Sequence, residues 1–249
     1  MPRDERWVPK RDRYALLRSA VNSVRLSLLG LRKSAPLTIV TGASENHATQ
    51  LLRFLRSALD HEPGTEVIVY DLGLSEDHRE TIRGRFTLRP FEFEAYPSYF
   101  DILVNAGEYA WKPTIVKQVA AERKGNIVCW MDAGVIIAEP LWKLRSAVGL
   151  NGFYAPVGYW HFGDWVHPEM LKFFDLPPDW NHCRWTLQAG TVAFDTRRRR
   201  PRRLLRDWAR YAAVKDCIAP RGSNRKNHRQ DQALLTLLAY RAGLVPVLA

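Results

Sequence analysis

The sequence predicts an α/β fold, a Rossmann-like and mostly parallel sheet flanked by helices, with a basic amphipathic helix in front of it. Three observations carry this expectation. Short β-branched apolar runs alternate with stretches of helical spacing from Leu37 onward. Hydrophobic residues make up 46% of the chain and aromatic residues 11%, enough for a packed core and too much for disorder. Leu17, Val21, Val24, Leu28 and Leu31 follow the spacing of one helix face.

Residues 1–33 read as that separate helix. Arg18, Arg25 and Arg32 recur beside its apolar stripe, a pattern suited to an anionic membrane surface or to packing on the domain or a partner. Residues 34–249 read as the α/β domain. Residues 37–41 form a first strand, 46–59 a helix and 66–71 a second strand closed by Gly73, with a polar helix from Ser75. Phe91-Glu-Phe-Glu94 alternates with period two, as a half-buried strand does. A helix over 109–122 leads into a strand over 126–131 that ends at Asp132. Parallel sheets bind ligands beyond the carboxyl ends of their strands, where Thr41, Asp71 and Asp132 fall. Residues 152–165 combine glycine with six aromatic residues, in the manner of a substrate-binding loop. A strand over 188–194 with Gly190 inside it, helices over 201–214 and 230–242, and a short last strand over 244–248 complete the reading.

The formal net charge of +11 is local. Residues 197–229 hold 13 basic and 2 acidic residues, residues 1–33 carry an excess of +6, and residues 34–196 carry −6. Arginine suits bidentate phosphate contacts, yet aromatic residues do not interleave with these arginines as single-strand binders require. Nucleic acid is therefore disfavoured as a partner against anionic lipid, a phosphorylated glycan or plain solvation. Three scattered cysteines make no disulfide framework and favour a reducing compartment. No apolar run reaches the roughly 18 residues needed to span a bilayer, and no signal-peptide core is evident. The expected location is cytoplasmic, peripheral at the inner face of the membrane.

Residues 39–44 are similar to the first turn of a dinucleotide-binding fold, but the further glycines that admit a pyrophosphate are absent after Gly42. Trp130-Met-Asp132-Ala-Gly134 is the stronger constellation. An aspartate after a buried strand, among small residues, can hold a divalent cation (Mn or Mg) against a diphosphate, or simply cap a turn. Lys112 opens the preceding helix, where an ammonium and free amides together suit a phosphate. A lysine there can also be merely solvated.

Thr41-Gly-Ala-Ser-Glu-Asn-His47, Tyr70-Asp-Leu-Gly-Leu74, Phe91-Glu-Phe-Glu-Ala-Tyr-Pro97, Tyr109-Ala-Trp-Lys-Pro113 and Trp130-Met-Asp-Ala-Gly134, in this order, resemble an uncharacterised family of glycosyltransferase-like domains. That family is related to the GT-A fold of nucleotide-sugar transferases, and the resemblance spans about residues 37–245. It implies transfer of a sugar from a nucleotide-diphosphate donor to a glycan or lipid-linked acceptor. Thr41, Ala43, Asn46 and Asp71 would line the nucleoside pocket, and Lys112 would face the diphosphate. Asp132 matches the first aspartate of the Asp-x-Asp metal motif, whose second aspartate is Gly134 here; this leaves one carboxylate for a metal. A C-terminal histidine ligand of the glycogenin-like group is not supplied by the 249 residues either. Gln188-Ala189-Gly190 resembles the segment beside the donor sugar. Asp231, in Arg229-Gln-Asp-Gln-Ala-Leu-Leu235, resembles the aspartate near sugar and acceptor, which implies catalytic roles for Asp231 and Gln188. Trp160 and His161 are candidates for the acceptor, because aromatic faces beside a hydrogen-bonding group suit sugar rings. A non-catalytic binding protein on the same fold, and a nucleic-acid binder acting through 197–229, are the alternatives from other classes.

Overall fold

The computed structural model describes residues 35–181 and 184–244. The expected N-terminal helix and most of the expected last strand lie outside these residues.

Leu37–Ala43 (β1) is buried at every position, Glu66–Asp71 (β2) at its four central ones and Ile127–Met131 (β4) throughout. Strands this apolar need cover on both faces, the situation of a parallel sheet between helices. Alternation along the strands divides the core in two. Val40, Ile68, Val128 and Trp130 point to one side, against Ile115, Val116, Leu204, Trp208 and Leu234. Ile39, Val67, Cys129 and Met131 point to the other, against Leu51, Phe54, Leu144 and Val148. The helices are Ala48–His61 (α1), Glu76–Arg83 (α2), Trp111–Glu122 (α3), Trp142–Asn151 (α4), Pro168–Phe173 (α5), Arg199–Ala212 (α6), Lys215–Ile218 (α7) and Gln230–Arg241 (α8), of which α1, α3, α4, α6 and α8 supply the residues just named.

With Thr87–Pro90 (β3), Phe153–Tyr154 (β5) and Thr191–Asp195 (β8), the central sheet has the order β3-β2-β1-β4-β8-β5. β3, β2, β1 and β4 run parallel, and β8 is antiparallel to both β4 and β5. The chain winds outward from β1 to β3 and then returns to β4 beside β1. In sheets of this kind the ligand crevice lies beyond the carboxyl ends of the strands where the direction of winding reverses, which here are β1 and β4. Val157–His161 (β6) and Trp185–Leu187 (β7) form a separate antiparallel pair.

Most expected elements recur with shifted ends, and one is corrected. Phe91-Glu-Phe-Glu94 is not a strand. The third strand is Thr87–Pro90, and Phe93–Ala95 is a short 3-10 turn. The period-two pattern arises because Phe91 and Phe93 both turn inward at a bend, their rings 4.8 Å apart edge to face, with Tyr96 stacked on Phe91. The segment 188–190 also precedes β8 rather than belonging to it.

A left-handed turn leads into α3. Asn105, Ala106, Gly107, Glu108 and Tyr109 all have φ between 47° and 63°. A run of L-residues there costs energy at every position. Packing holds it: a Cβ on Gly107 would lie 2.2 Å from the carbonyl oxygen of Phe100. Gly107→Ala is therefore expected to lower stability by at least about 2 kcal/mol, read by urea unfolding. A loss below about 0.5 kcal/mol would mean that this turn is not held as described.

Candidate active site

The register of the sheet builds the site. β4 ends at Met131, opposite Thr191 of β8, so the backbone amide of Asp132 donates to the carbonyl of Gly190 at 2.8 Å. Gly190 has to be small: a Cβ there would meet Asp132 Oδ2 at 3.2 Å. Trp130, fully buried, turns its indole Nε1 to donate to Asp132 Oδ1 at 2.6 Å. The side chain of Asp132 is held from behind and remains 46% exposed toward the crevice.

Lys112 reaches the same point from the first turn of α3. Its Nζ lies 3.0 Å from Asp132 Oδ1 and 3.1 Å from Asp231 Oδ2, and it donates to the carbonyl of Ala189 at 3.5 Å. The rings of Tyr109 and Trp130 flank the ammonium at 5.5 and 5.7 Å. Asp231, in the first turn of α8, is buried, and its backbone carbonyl accepts from the indole of Trp208 at 2.9 Å. Burial works against the Lys112 ammonium, but Asp132 and Asp231 outweigh it and hold its pKa above the ordinary lysine range. Burial pushes the Asp231 carboxyl up; the Lys112 ammonium pulls it down, and Asp132 adds to the upward push. The geometry is a buried ammonium clamped between two carboxylates, one sealed and one open.

The left-handed turn and α8 are tied together beside this cluster. Gln230, itself at φ 28°, donates from Nε2 to Glu108 Oε2 at 3.1 Å, while Asn105 Nδ2 donates to Glu108 Oε1 at 3.2 Å. His228 anchors the loop before α8. Its Nε2 lies 2.9 Å from the carbonyl of Ile218, its Nδ1 accepts from the amide of His167, and burial pushes its pKa down to about 4.

Of the residues singled out in sequence, Lys112, Asp132, Ala189, Gly190 and Asp231 thus meet at one point. Thr41 and Ala43 lie at the end of β1 but are buried, and Thr41 Oγ1 has no hydrogen-bond partner. Asp71 spends its carboxylate on the turn after β2, accepting from the amides of Gly73 and Leu74 and from Arg79 Nε at 2.6 Å. Asn46 is exposed, its Oδ1 bonded to Ser44 Oγ and His47 Nδ1. The Gln188 amide donates to the carbonyl of Pro156, which places this residue between β6 and the Asp132 turn. Trp160 and His161 lie on β6, outside the contacts of the Lys112 ammonium, and His161 stacks on Trp185 at 4.4 Å. The arginine run lies on the outer face of α6, with Arg199, Arg202, Arg203, Arg206 and Arg210 exposed, while the inner face carries Trp208 onto Asp231.

Sequence reasoning missed Trp130, Tyr109, Glu108 and Gln230 as parts of the site. Trp130 was readable in principle, since an indole two residues before an aspartate at a strand end can donate back to it. The Glu108–Gln230 contact spans 122 residues and has no local signal.

Among the described residues, no three His, Cys, Asp or Glu side chains converge as metal ligands. Asp132 offers one open carboxylate, and Asp231 is turned to the ammonium. The described residues do not make a protein-held divalent metal centre. Among the described residues no helix is long and apolar enough to cross a membrane.

The family described as "Protein of unknown function (DUF1647)" matches residues 4–117, less than half of the chain. No curated protein matches in sequence. Solved structures do. The bifunctional glycosyltransferase WbbM superposes with a TM-score of 0.55 at 13% identity, over 88% of this chain and 39% of that one. Core-mannan synthase A of Aspergillus fumigatus, in a form with Mn and GDP, gives 0.51 at 9% identity, over 84% and 70%. An active-site mutant of LgtC gives 0.50 at 17% identity, over 80% and 70%. The chain thus spans well under half of the WbbM polypeptide. At these identities the likeness concerns the fold, and the fold is that of GT-A-type glycosyltransferases.

Proposed function

We propose that this protein transfers a sugar from a nucleotide-diphosphate donor to a glycan or lipid-linked acceptor. The observation that carries the reading is the Lys112 ammonium clamped between Asp132 and Asp231 beyond the carboxyl end of β4. Nucleotides bind at that position of doubly wound sheets. A solved structure of the same fold, core-mannan synthase A, is described in a form with GDP.

The chemistry follows from charge. Sugar transfer places negative charge on the departing diphosphate, and fixed positive charge lowers that barrier most when it is already oriented in a site shielded from water. Lys112 is charged, buried and held by three acceptors, so it needs no reorganisation. Asp132 orients it from the open side. Asp231 orients it from the sealed side, in the first turn of α8.

The test is release of nucleoside diphosphate from a panel of sugar nucleotides, with a mixed glycan pool as acceptor. The wild type is expected to turn over one donor, and Asp132→Ala to lower that rate about 100-fold. Absence of turnover with every donor sinks the enzyme reading.

Gly134 supports a second reading, a binding protein on the same fold, since the second aspartate of the metal motif is missing there. A Cβ at Gly134 meets nothing within 4 Å, so a longer side chain fits. Gly134→Asp is expected to make nucleoside diphosphate binding manganese-dependent, with about ten-fold tighter affinity when the ion is present. Equal affinity with manganese and with chelator would show that position 134 does not face the diphosphate.

A further inference from the structure

Beside the ammonium cluster lies a second constellation that the proposed donor chemistry does not use. Arg229 directly precedes α8, two residues before Asp231, and its amide donates to the carbonyl of Trp165 at 3.2 Å. Its guanidinium carbon sits 4.2 Å from the Trp165 ring centre and 5.9 Å from that of Trp160. The two indoles are 5.5 Å apart and tilted by 53°. Trp160 is 49% exposed, and Tyr159 beside it is 86% exposed. Large aromatic side chains left in water next to a reaction centre ask for a ligand.

Arg229 carries a buried guanidinium nitrogen without a partner. Among the described residues it has no ion-pair partner, and its Nε is buried without a hydrogen-bond acceptor. The other cation of the site, Lys112, is bound by Asp132 and Asp231. The faces of Trp160 and Trp165 hold the guanidinium in place through cation–π attraction, which fixes its plane and leaves its hydrogens unpaired. A rigid fork of donors over an aromatic floor matches one kind of ligand, a sugar ring with a carboxylate or phosphate on it. The ring packs on the exposed part of Trp160 and the anion takes the fork.

We propose that Trp160, Trp165 and Arg229 form an acceptor subsite selective for a saccharide that bears an anionic group, with Arg229 as the specificity-determining residue. This rests on the transferase reading above, because the subsite adjoins Asp231 through the first turn of α8. The anion shared by uronates and sugar phosphates is what the arginine recognises.

Tryptophan fluorescence titration with cellobiose, cellobiouronic acid and cellobiose 6′-phosphate tests it without requiring turnover. At least one anionic disaccharide is expected to bind about ten-fold or more tightly than cellobiose, and the carboxylate and phosphate arms separate the two sources. Arg229→Gln should abolish the preference and leave weak neutral binding. Arg229→Lys should restore part of it, and Trp160→Ala should weaken all three ligands. Near-ultraviolet circular dichroism confirms that each variant is folded. Equal affinity for neutral and anionic disaccharides, a preference that survives Arg229→Gln, or no binding of any disaccharide overturns the proposal. Nucleoside diphosphate binding, measured in parallel, separates the two failures. If it persists while the anionic preference is absent, only the acceptor subsite is wrong. If it is absent, the transferase reading falls whatever the disaccharides do.

Discussion

Lys112→Met is expected to lower stability by about 3–5 kcal/mol at neutral pH, because it leaves Asp231 buried without its counter-charge. Methionine nearly fills the same volume, so a cavity contributes little, and the cost is electrostatic. The pH dependence identifies the cause. Burial already raises the carboxyl pKa of Asp231, and Lys112 is the group that pulls it back. Without the ammonium, the folded-state pKa climbs further above the value of about 3.9 in the unfolded chain. A group whose folded pKa is raised binds a proton in the native state before it does so when unfolded. Its contribution to stability is therefore lost as pH rises through the folded value and regained as pH falls below it. Elsewhere, Glu66, Asp71 and Asp195 have carboxyl groups held low, and they make both proteins less stable in acid. The difference between Lys112→Met and wild type should thus shrink from pH 8 to pH 5 in urea unfolding. A difference that stays constant across this range would mean that Asp231 is not the source of the loss.

Asp231→Asn is expected to lower turnover about 100-fold to 1,000-fold while leaving nucleoside diphosphate affinity within about three-fold of wild type. Asparagine keeps the shape, and the indole of Trp208 bonds the main-chain carbonyl of residue 231, so the start of α8 stays in place. What disappears is the negative charge on the sealed side of Lys112. The ammonium then has Asp132 and the Ala189 carbonyl to set its position, and the field it presents to the departing diphosphate is no longer fixed from the sealed side. This variant therefore separates from Lys112→Met, whose main effects fall on binding and folding. Equal losses of affinity in both variants would argue against distinct roles for the two residues.

Much of the sheet was legible because its strands obey local rules. The buried runs over 37–43, 66–71 and 127–131 are β-branched, short and ended by glycine or aspartate, and they appear where the pattern puts them. Phe91 and Phe93 mislead because period two describes any chain that turns alternate residues inward, and a bend of stacked aromatics does so without a ladder. The site was half legible. Lys112, Asp132 and Asp231 were chosen separately, each from its position at a helix start or strand end. Their meeting was not readable, since antiparallel β8 and the left-handed turn at 105–109 bring them within 3.1 Å, and neither has a signature in the sequence. Asp71 shows the opposite limit. A strand-end aspartate suits a ribose equally well, yet here it is used up by two amides and an arginine of its own turn. Arg229 was hidden inside a run of charge whose other members are mostly solvated.

Isothermal titration calorimetry of a nucleoside diphosphate panel, against wild type and Lys112→Met, with manganese and with chelator, tests the central claim most directly. One nucleoside diphosphate is expected to bind the wild type, and to bind Lys112→Met about ten-fold or more weakly. Failure of the whole panel to bind, or equal binding to both proteins, would contradict the assignment of this crevice as a nucleotide-sugar site.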